Sequence, residues 1–302
     1  TNRGLCSGIF WGIFQCSILP GNIASYFILK NSGSRAKDLP MIVGWDTVNS
    51  PLFFILTVSC VAGALLFLTL RAPDDSTGSK GFEHLVPPDG CKSVAGTFRL
   101  LFTKRMLMFT PLMFYTGLGM TYWAGWFTRQ ILDTRYIGVC MCGFGIAEAI
   151  GGLVLGRLSD RLGRTSVVMF GFFAQATAMY LSWLANERML GGGDMLFFYI
   201  AAPILGLADC AFQTQLMAAL ASDYTTLSAD AFAIFKLLQS LGAALGFGIT
   251  GLFGGDTASR TGFLEELIIL GGLLVLGIFF YLLMLRVPKE PVRLASRRES
   301  RR

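Results

Sequence analysis

The chain of 302 residues is 53% hydrophobic, has a mean hydropathy of +0.59, and carries charge on only 15% of its residues. Soluble domains carry about 25% charged residues, so this composition excludes an ordinary soluble domain and indicates a protein embedded in a lipid bilayer. The net charge of +6 would suit a nucleic-acid partner, but the basic residues follow membrane topology instead, as shown below, so no nucleic-acid partner is predicted.

Eight apolar runs are each close to the 20 or so residues that a bilayer-crossing helix requires. In chain order, the predicted spans are residues 4–29, 51–70, 106–127, 136–155, 166–184, 195–220, 231–253 and 263–285. The chain begins with Thr1 and enters a span almost at once, so we expect it to be the C-terminal part of a longer protein. The predicted fold class is an all-α polytopic membrane protein.

The first span carries polar residues on one helical face, because Gln15, Asn22 and Tyr26 recur at helical spacing. Such a face either hydrogen-bonds to a neighbouring helix or lines a cavity, and the sequence leaves both interpretations open.

The longest polar stretch, residues 71–105, follows the second span and contains the linker-like sequence APDDSTGSKG. Within it, residues 94–103 are predicted to form a short amphipathic helix on the membrane surface. A basic tail, residues 287–302, follows the last span and is predicted to be disordered and cytoplasmic.

A short charged sequence, GRLSDRLGR, lies between the fourth and fifth spans and is predicted to form a tight turn over residues 156–164. It resembles the signature turn of the major facilitator superfamily of transporters. The matching residues are Gly156, Leu158, Ser159, Asp160, Arg161, Gly163 and Arg164. Glycines at such positions permit close approach and positive φ. Asp160 is placed to pair with a nearby arginine or to cap the next helix. We therefore predict a cytoplasmic gate, in which Asp160, Arg161 and Arg164 act as a charged latch.

Charge placement supports one orientation of the spans. With the linker, the turn and the tail on the cytoplasmic side, 17 of the 25 basic residues lie inside, 7 lie outside, and Lys236 falls within a span. Short cytoplasmic loops collect Lys and Arg, so this orientation is the predicted one.

Three ionisable residues fall inside predicted spans: Glu148, Asp209 and Lys236. A charge at the centre of a membrane helix costs about 2.5–3.5 kcal/mol, so such residues face the bundle interior and usually pair. Asp209 and Lys236 are opposite in charge and similar in depth, and Gln213 and Gln239 lie one helical turn from them. We predict that these residues form one electrostatic unit. It either couples an ion or fixes the packing.

Aromatic residues form a stripe on the third span, where Tyr115, Tyr122 and Trp126 share a face. The stripe either lines a central cavity or packs against a neighbouring helix. Tyr122 and Trp126 are therefore candidate cavity residues, together with the ionisable and amide residues of the previous paragraph.

Four phrases, FWGIFQCSILPGNIASYF, GFGIAEAIGG, GLADCAFQTQ and AFAIFKLLQSLG, resemble the UNC-93-like family, a branch of the major facilitator superfamily. The resemblance implies a twelve-helix protein. Residues 1–70 would then hold the last two helices of its N-terminal half, 71–105 the cytoplasmic linker, 106–286 the six-helix C-terminal half, and 287–302 the basic tail. It also implies a transporter-like regulator of ion channel activity or of membrane protein trafficking, whose partner is an ion channel or a receptor.

A secondary transporter of a small solute, coupled to protons or another ion, is the alternative function. An enzyme is not predicted, because the chain has no HExxH or GxSxG motif and no histidine in a span. The seven cysteines and the single histidine, His84, lack zinc-ligand spacing, so neither a metal site nor a cofactor is predicted.

Overall fold

The computed structural model describes residues 3–32, 54, 57–66, 68–69, 90–131, 134–190, 195–225, 227–252 and 260–288. Within these ranges the chain forms helices and turns and no strand. The helices are α1 (Arg3–Gln15), α2 (Ile18–Ser32), α3 (Thr57–Leu66), α4 (Gly90–Leu101), α5 (Lys104–Thr121) with its π-helical continuation (Tyr122–Phe127), α6 (Thr134–Leu162), α7 (Arg164–Leu190), α8 (Leu196–Asp223), α9 (Ser228–Leu252) and α10 (Arg260–Met284).

Six helical stretches in these ranges are long and apolar enough to cross a membrane. They are Gly4–Ile23, Tyr136–Leu162, Arg164–Glu187, Leu196–Asp223, Ser228–Ile249 and Gly262–Met284. The predicted class, an all-α polytopic membrane protein, is thereby confirmed. The predicted span 106–127 forms one helical passage through α5 and its π segment without being among the six. Most of 51–56 and part of 67–70 lie outside the described residues, so the count of eight spans stays a prediction.

One of the closest contacts in the bundle is the crossing of α1 over α6. Gly4, Gly8 and Gly12 repeat every four residues along α1 and lie against Gly152 and Gly156 of α6. A Cβ added to Gly152 would be 2.6 Å from the Gly8 carbonyl oxygen, and one on Gly156 would be 2.6 Å from that of Gly4. Only backbones without side chains approach this closely, which is the way helices associate where lipid removes the hydrophobic driving force.

Two further helix crossings also place glycine against the backbone of the neighbouring helix. Gly117 of α5 lies against the backbone of α9 at Gln239. In the same crossing, Gly242 of α9 lies against the backbone of α5 at Phe114. Gly206 of α8 lies against α6, and a Cβ added to it would clash with the Phe144 carbonyl oxygen. These crossings position the polar residues of α6, α8 and α9 relative to one another.

Helix α8 is the centre of the bundle. It packs along α6 on one side and α7 on another, with weaker contacts to α1, α5 and α9. All residues from 208 to 220 are buried, including Asp209 and Gln213. A helix that is buried all round in a membrane protein reaches no lipid, so polar groups on it meet protein.

The linker and the tail are described only in part. Residues 70–89 and 289–302 lie outside the described residues, and so does His84. The predicted surface helix at 94–103 is found as α4, and its Thr97 hydroxyl donates to Asp230 Oδ1 of α9 at 2.5 Å.

Replacing Gly152 by Ala should separate α1 from α6, because the new Cβ would lie 2.6 Å from a backbone oxygen that cannot turn away. We expect overpacking to cost about 1–3 kcal/mol and to lower the melting temperature of the purified full-length protein. Gly272→Ala on α10 is the matched control, since no atom lies within 4 Å of its would-be Cβ. Equal losses in both variants would contradict a tight crossing.

Candidate functional site

The turn between α6 and α7 consists of a single non-helical residue, Gly163, with φ of +89°. Its N–H donates to the Ser159 carbonyl at 3.0 Å, a left-handed cap for which glycine is suited. The predicted turn over residues 156–164 is therefore too long. Residues 156–162 continue α6 as helix, since basic side chains near a helix C-terminus are favourable there.

Asp160 caps α1, which lies far away in the sequence. Its two carboxylate oxygens accept the N–H groups of Gly4 at 3.1 Å and Leu5 at 2.9 Å. These donors lie in the first turn of α1, where N–H groups have no partner within the helix and negative charge is favoured. The expectation that Asp160 pairs with a nearby arginine or caps the next helix is wrong, because the Gly4–Gly156 contact brings α1 nearer.

The two arginines of the predicted latch differ. Arg164 donates to the Ser222 hydroxyl at 2.7 Å and lies 3.9 Å from the Asp223 carboxylate. Arg161 is exposed, and within the described ranges its side chain has no hydrogen bond or ion pair. The structure therefore brings Asp160 and Arg164 into contacts between helices, but not Arg161.

A buried ion pair ties four helices at this same end of the bundle. Arg105, at the start of α5, contacts Asp223 of α8 at 2.6 Å and donates to the Val287 carbonyl after α10 at 2.5 Å. Both charged side chains are almost fully buried. Arg164 adds α7, so α5, α7 and α8 meet at the Asp223 carboxylate, and Arg105 links them to the end of α10.

Two carboxyl groups meet in the middle of the bundle. Glu148 of α6 and Asp209 of α8 are 0% and 5% exposed, and they interact where α6 packs on α8, beside the contact of Gly151 with Cys210. Gln15, the last residue of α1, donates through Nε2 to Glu148 Oε2. The Gln213 amide lies against Asp209. Of the two interpretations of the polar face of the first span, Gln15 thus shows hydrogen bonding between helices.

Lys236 is not in direct contact with Asp209. Its Nζ donates to Gln239 Oε1 at 2.8 Å and lies 5.0 Å from the centre of the Phe235 ring. Among the described residues no ion pair joins Lys236 to Asp209, and the direct pairing predicted from the sequence is wrong. Because α8 packs chiefly on α6 and α7, Asp209 meets Glu148 and receives only a longer-range attraction from Lys236.

Gln239 links Lys236 to α5, because its Nε2 donates to the Thr116 hydroxyl at 3.2 Å. The aromatic candidates are part of the core on the same side of the bundle. Tyr122 and Trp126, both in the π segment of α5, are fully buried, and the Tyr122 hydroxyl donates to Ser182 of α7 at 2.8 Å. Their predicted role at a cavity stays a prediction.

A second ion pair at the opposite end of the bundle was not anticipated from the sequence. Arg129, after the π segment of α5, contacts both carboxylate oxygens of Glu266 on α10, at 2.6 and 2.8 Å. Glu266 is 1% exposed. The sequence could have revealed Glu266, because this charge lies within the apolar run 263–285. Arg105 and Asp223 could not be found in this way, because they look like ordinary charges at the ends of spans.

Removing one partner of the Arg105–Asp223 pair should leave the other buried charge less well compensated, because among the described residues Asp223 would keep Arg164 as its cation, at 3.9 Å, and Arg105 would keep backbone carbonyls. We expect Arg105→Met and Asp223→Asn each to cost about 3–5 kcal/mol, and the double variant to recover part of that loss. Melting temperatures of the purified full-length proteins measure this, with exposed Arg286→Met as control. Simple addition of the two single effects would show that the residues are not coupled.

Comparison with known proteins places the chain in a family. Residues 1–254 match the family described as "Ion channel regulatory protein UNC-93". No solved structure matches the chain significantly.

Similar curated proteins carry the same family name. The chain is 30% identical to UNC93-like protein MFSD11 of Xenopus laevis, over 81% of this chain and 61% of the relative. It is 29% identical to UNC93-like protein 3 of Arabidopsis thaliana, covering 81% and 52%, and 26% identical to protein unc-93 homolog A of Homo sapiens, covering 80% and 57%. The chain thus spans less than two thirds of these relatives. It belongs to the UNC-93 family of the major facilitator superfamily and is a multi-pass integral membrane protein.

Proposed function

We propose that the protein is a transporter-shaped regulator of ion channel activity or of membrane protein trafficking, whose partner is an ion channel or a receptor in the same membrane. The description of the matching family supports the first part. In this proposal α1–α3 belong to one half of a twelve-helix protein and α5–α10 form the other. The α1–α6 crossing is then a contact between halves.

The observation that carries this proposal is the double hydrogen bond from the first turn of α1 to Asp160. It ties two helices that otherwise meet mainly through glycine backbones and, at mid-depth, the Gln15–Glu148 hydrogen bond. Such a contact has few interlocked side chains, so one helix can tilt against the other once the tie opens. Because Asp160 is exposed, water can replace these hydrogen bonds, so breaking them costs little free energy. A partner that binds one of the two arrangements better would shift their populations.

Asp160→Asn should loosen the tie, because an amide has no net charge to interact with the N-terminus of α1. Spin labels on Cys6 and on a cysteine at Arg157, both exposed, would report the distance across the crossing in full-length protein whose other cysteines are replaced. We expect the Asn variant to broaden the distance distribution toward longer values. The matched control Arg161→Gln alters a charge one residue away without touching α1, and should leave the distribution as in the parent. Identical distributions in all three proteins would contradict the tie.

Regulation of a channel is tested in cells that lack the protein. Restoring the wild-type chain in its full-length form should change whole-cell ionic current, with the responsible channel co-purifying, while Asp160→Asn should restore less of the current at equal surface abundance. No change in current, together with strong solute flux into proteoliposomes, would contradict regulation and favour the second candidate.

The second candidate is coupled transport of a small solute. The buried Glu148–Asp209 pair favours it, because intramembrane carboxyl groups mark ion and proton pathways in transporters. In this case the purified protein in proteoliposomes should carry the solute in response to an ion gradient.

A further inference from the structure

The Glu148–Asp209 pair lies as deep in the bundle as its helices allow. Glu148 is 14 residues from Thr134 and 14 from Leu162, the ends of α6, which is about 21 Å from each at 1.5 Å per residue. Asp209 occupies the corresponding middle of α8. Because the two side chains are 0% and 5% exposed, bulk water does not solvate either carboxyl group. Two negative charges in contact in this environment would repel strongly, since little dielectric screening separates them.

The hydrogen bonds around the pair are incomplete. Glu148 Oε2 accepts from Gln15, but Glu148 Oε1 is buried and receives no hydrogen bond from the described residues. Gln213 Oε1, beside Asp209, is likewise buried without a donor. The buried donors Trp11 Nε1 and Tyr115 OH also lack a partner among the described residues, so the neutral groups around the pair are not fully hydrogen-bonded either. No described cation contacts the two carboxyl groups, and an unmet buried acceptor costs about 1–3 kcal/mol.

The backbone nearby adds to the negative potential. The first membrane passage is interrupted at Cys16 and Ser17, and α1 ends at Gln15, the residue bonded to Glu148. A helix C-terminus carries about half a negative charge, and interrupted membrane helices place such ends at cation sites.

The groups that face the pair come from four elements. Trp11 and Gln15 approach from α1, Tyr115 from α5, Cys210 and Gln213 from α8, and Lys236 acts from α9. Lys236 is the one cation among them, and its ammonium is held by Gln239. Two carboxylates and one distant ammonium leave one negative charge, which a single monovalent cation balances.

We propose that Glu148, Asp209, Gln15 and Gln213 form a binding site for one monovalent cation, either a proton shared by the two carboxyl groups or a desolvated alkali-metal ion. Either cation would give Glu148 Oε1 the positive partner that it lacks among the described residues. When the cation leaves, Lys236 exchanges Gln239 for Asp209 and takes over the charge balance. Occupancy of the site thereby sets whether Lys236 is held within α9 by Gln239 or bound to α8 through Asp209.

This inference goes beyond channel regulation, because it assigns a ligand to the chain. Coupled transport would use the same site, and regulation does not require it. Its failure would therefore leave the current and spin-label experiments unaffected.

Cation-dependent thermal stability tests the site. Melting temperatures of purified full-length protein would be measured in NaCl and KCl against choline chloride at constant ionic strength, and then in choline chloride from about pH 5 to about pH 9. A ligand that binds only the folded protein raises the melting temperature by a few degrees for each tenfold rise in concentration above its dissociation constant. Glu148→Gln/Asp209→Asn removes the charge that needs balancing, while Glu265→Gln, an exposed carboxyl on α10, is the control.

We expect the wild type and the Glu265→Gln control to depend on the cation and the double variant not to. A difference that grows with NaCl or KCl identifies an alkali-metal ion. A difference that is largest at low pH and is lost as pH rises identifies a proton. The same dependence on ions and pH in the wild type and the double variant would overturn the proposal.

If the double variant does not fold, labelling of the wild type answers the same question. Dicyclohexylcarbodiimide modifies carboxyl groups that carry a proton in apolar surroundings, and mass spectrometry locates the adduct. A proton site predicts that Glu148 or Asp209 reacts faster at low pH. An alkali-metal site predicts protection by NaCl or KCl. Reaction of these residues at a rate independent of pH and of both salts, with Glu265 as reference, would overturn the proposal.

Discussion

The glycine-lined crossing of α1 over α6 is the constraint on which the remaining contacts of α1 depend. At the turn end, it brings the first N–H groups of α1 within 3.1 Å of Asp160, and at mid-depth it brings Gln15 to Glu148. Each glycine that faces the other helix meets backbone rather than side chain, so even a methyl group would push the helices apart. One close approach therefore sets both the tie at the surface and the polar contact in the centre.

Much of the architecture follows from the sequence, because a bilayer leaves few alternatives. Apolar runs of fixed length must be helices, and a glycine between basic residues must end one, as Gly163 does. The four phrases also predicted the UNC-93 family, which the match over residues 1–254 confirms. The partner of Asp160 could not be predicted from the sequence, and the reason is physical. A cap on the adjacent helix is the local solution, whereas the real partner lies 156 residues away and depends on packing.

The same limit explains the contact of Asp209. Charge and depth along a helix can be read from a sequence, but the rotation of each helix about its axis is set by the neighbours. Gly206 presses α8 against the backbone of α6, and this turns Asp209 toward Glu148 rather than toward Lys236. Lys236 then finds an acceptor one turn away on its own helix, Gln239. Membership of a polar cluster was predictable, while its pairing was not.

Charge balance differs along the length of the bundle. At the turn end Asp223 has Arg105 and Arg164 around it, and at the opposite end Glu266 has Arg129 against both oxygens. At both ends, therefore, each buried carboxylate has at least one arginine against it. Among the described residues, it is the centre that brings two acids together with an ammonium bound elsewhere. Because unbalanced charge is most expensive where water is absent, the centre is where a change of one positive charge moves the energy of the bundle most. Ends held together by ion pairs, with a charge-sensitive middle, would let a helix bundle respond to an ion without coming apart.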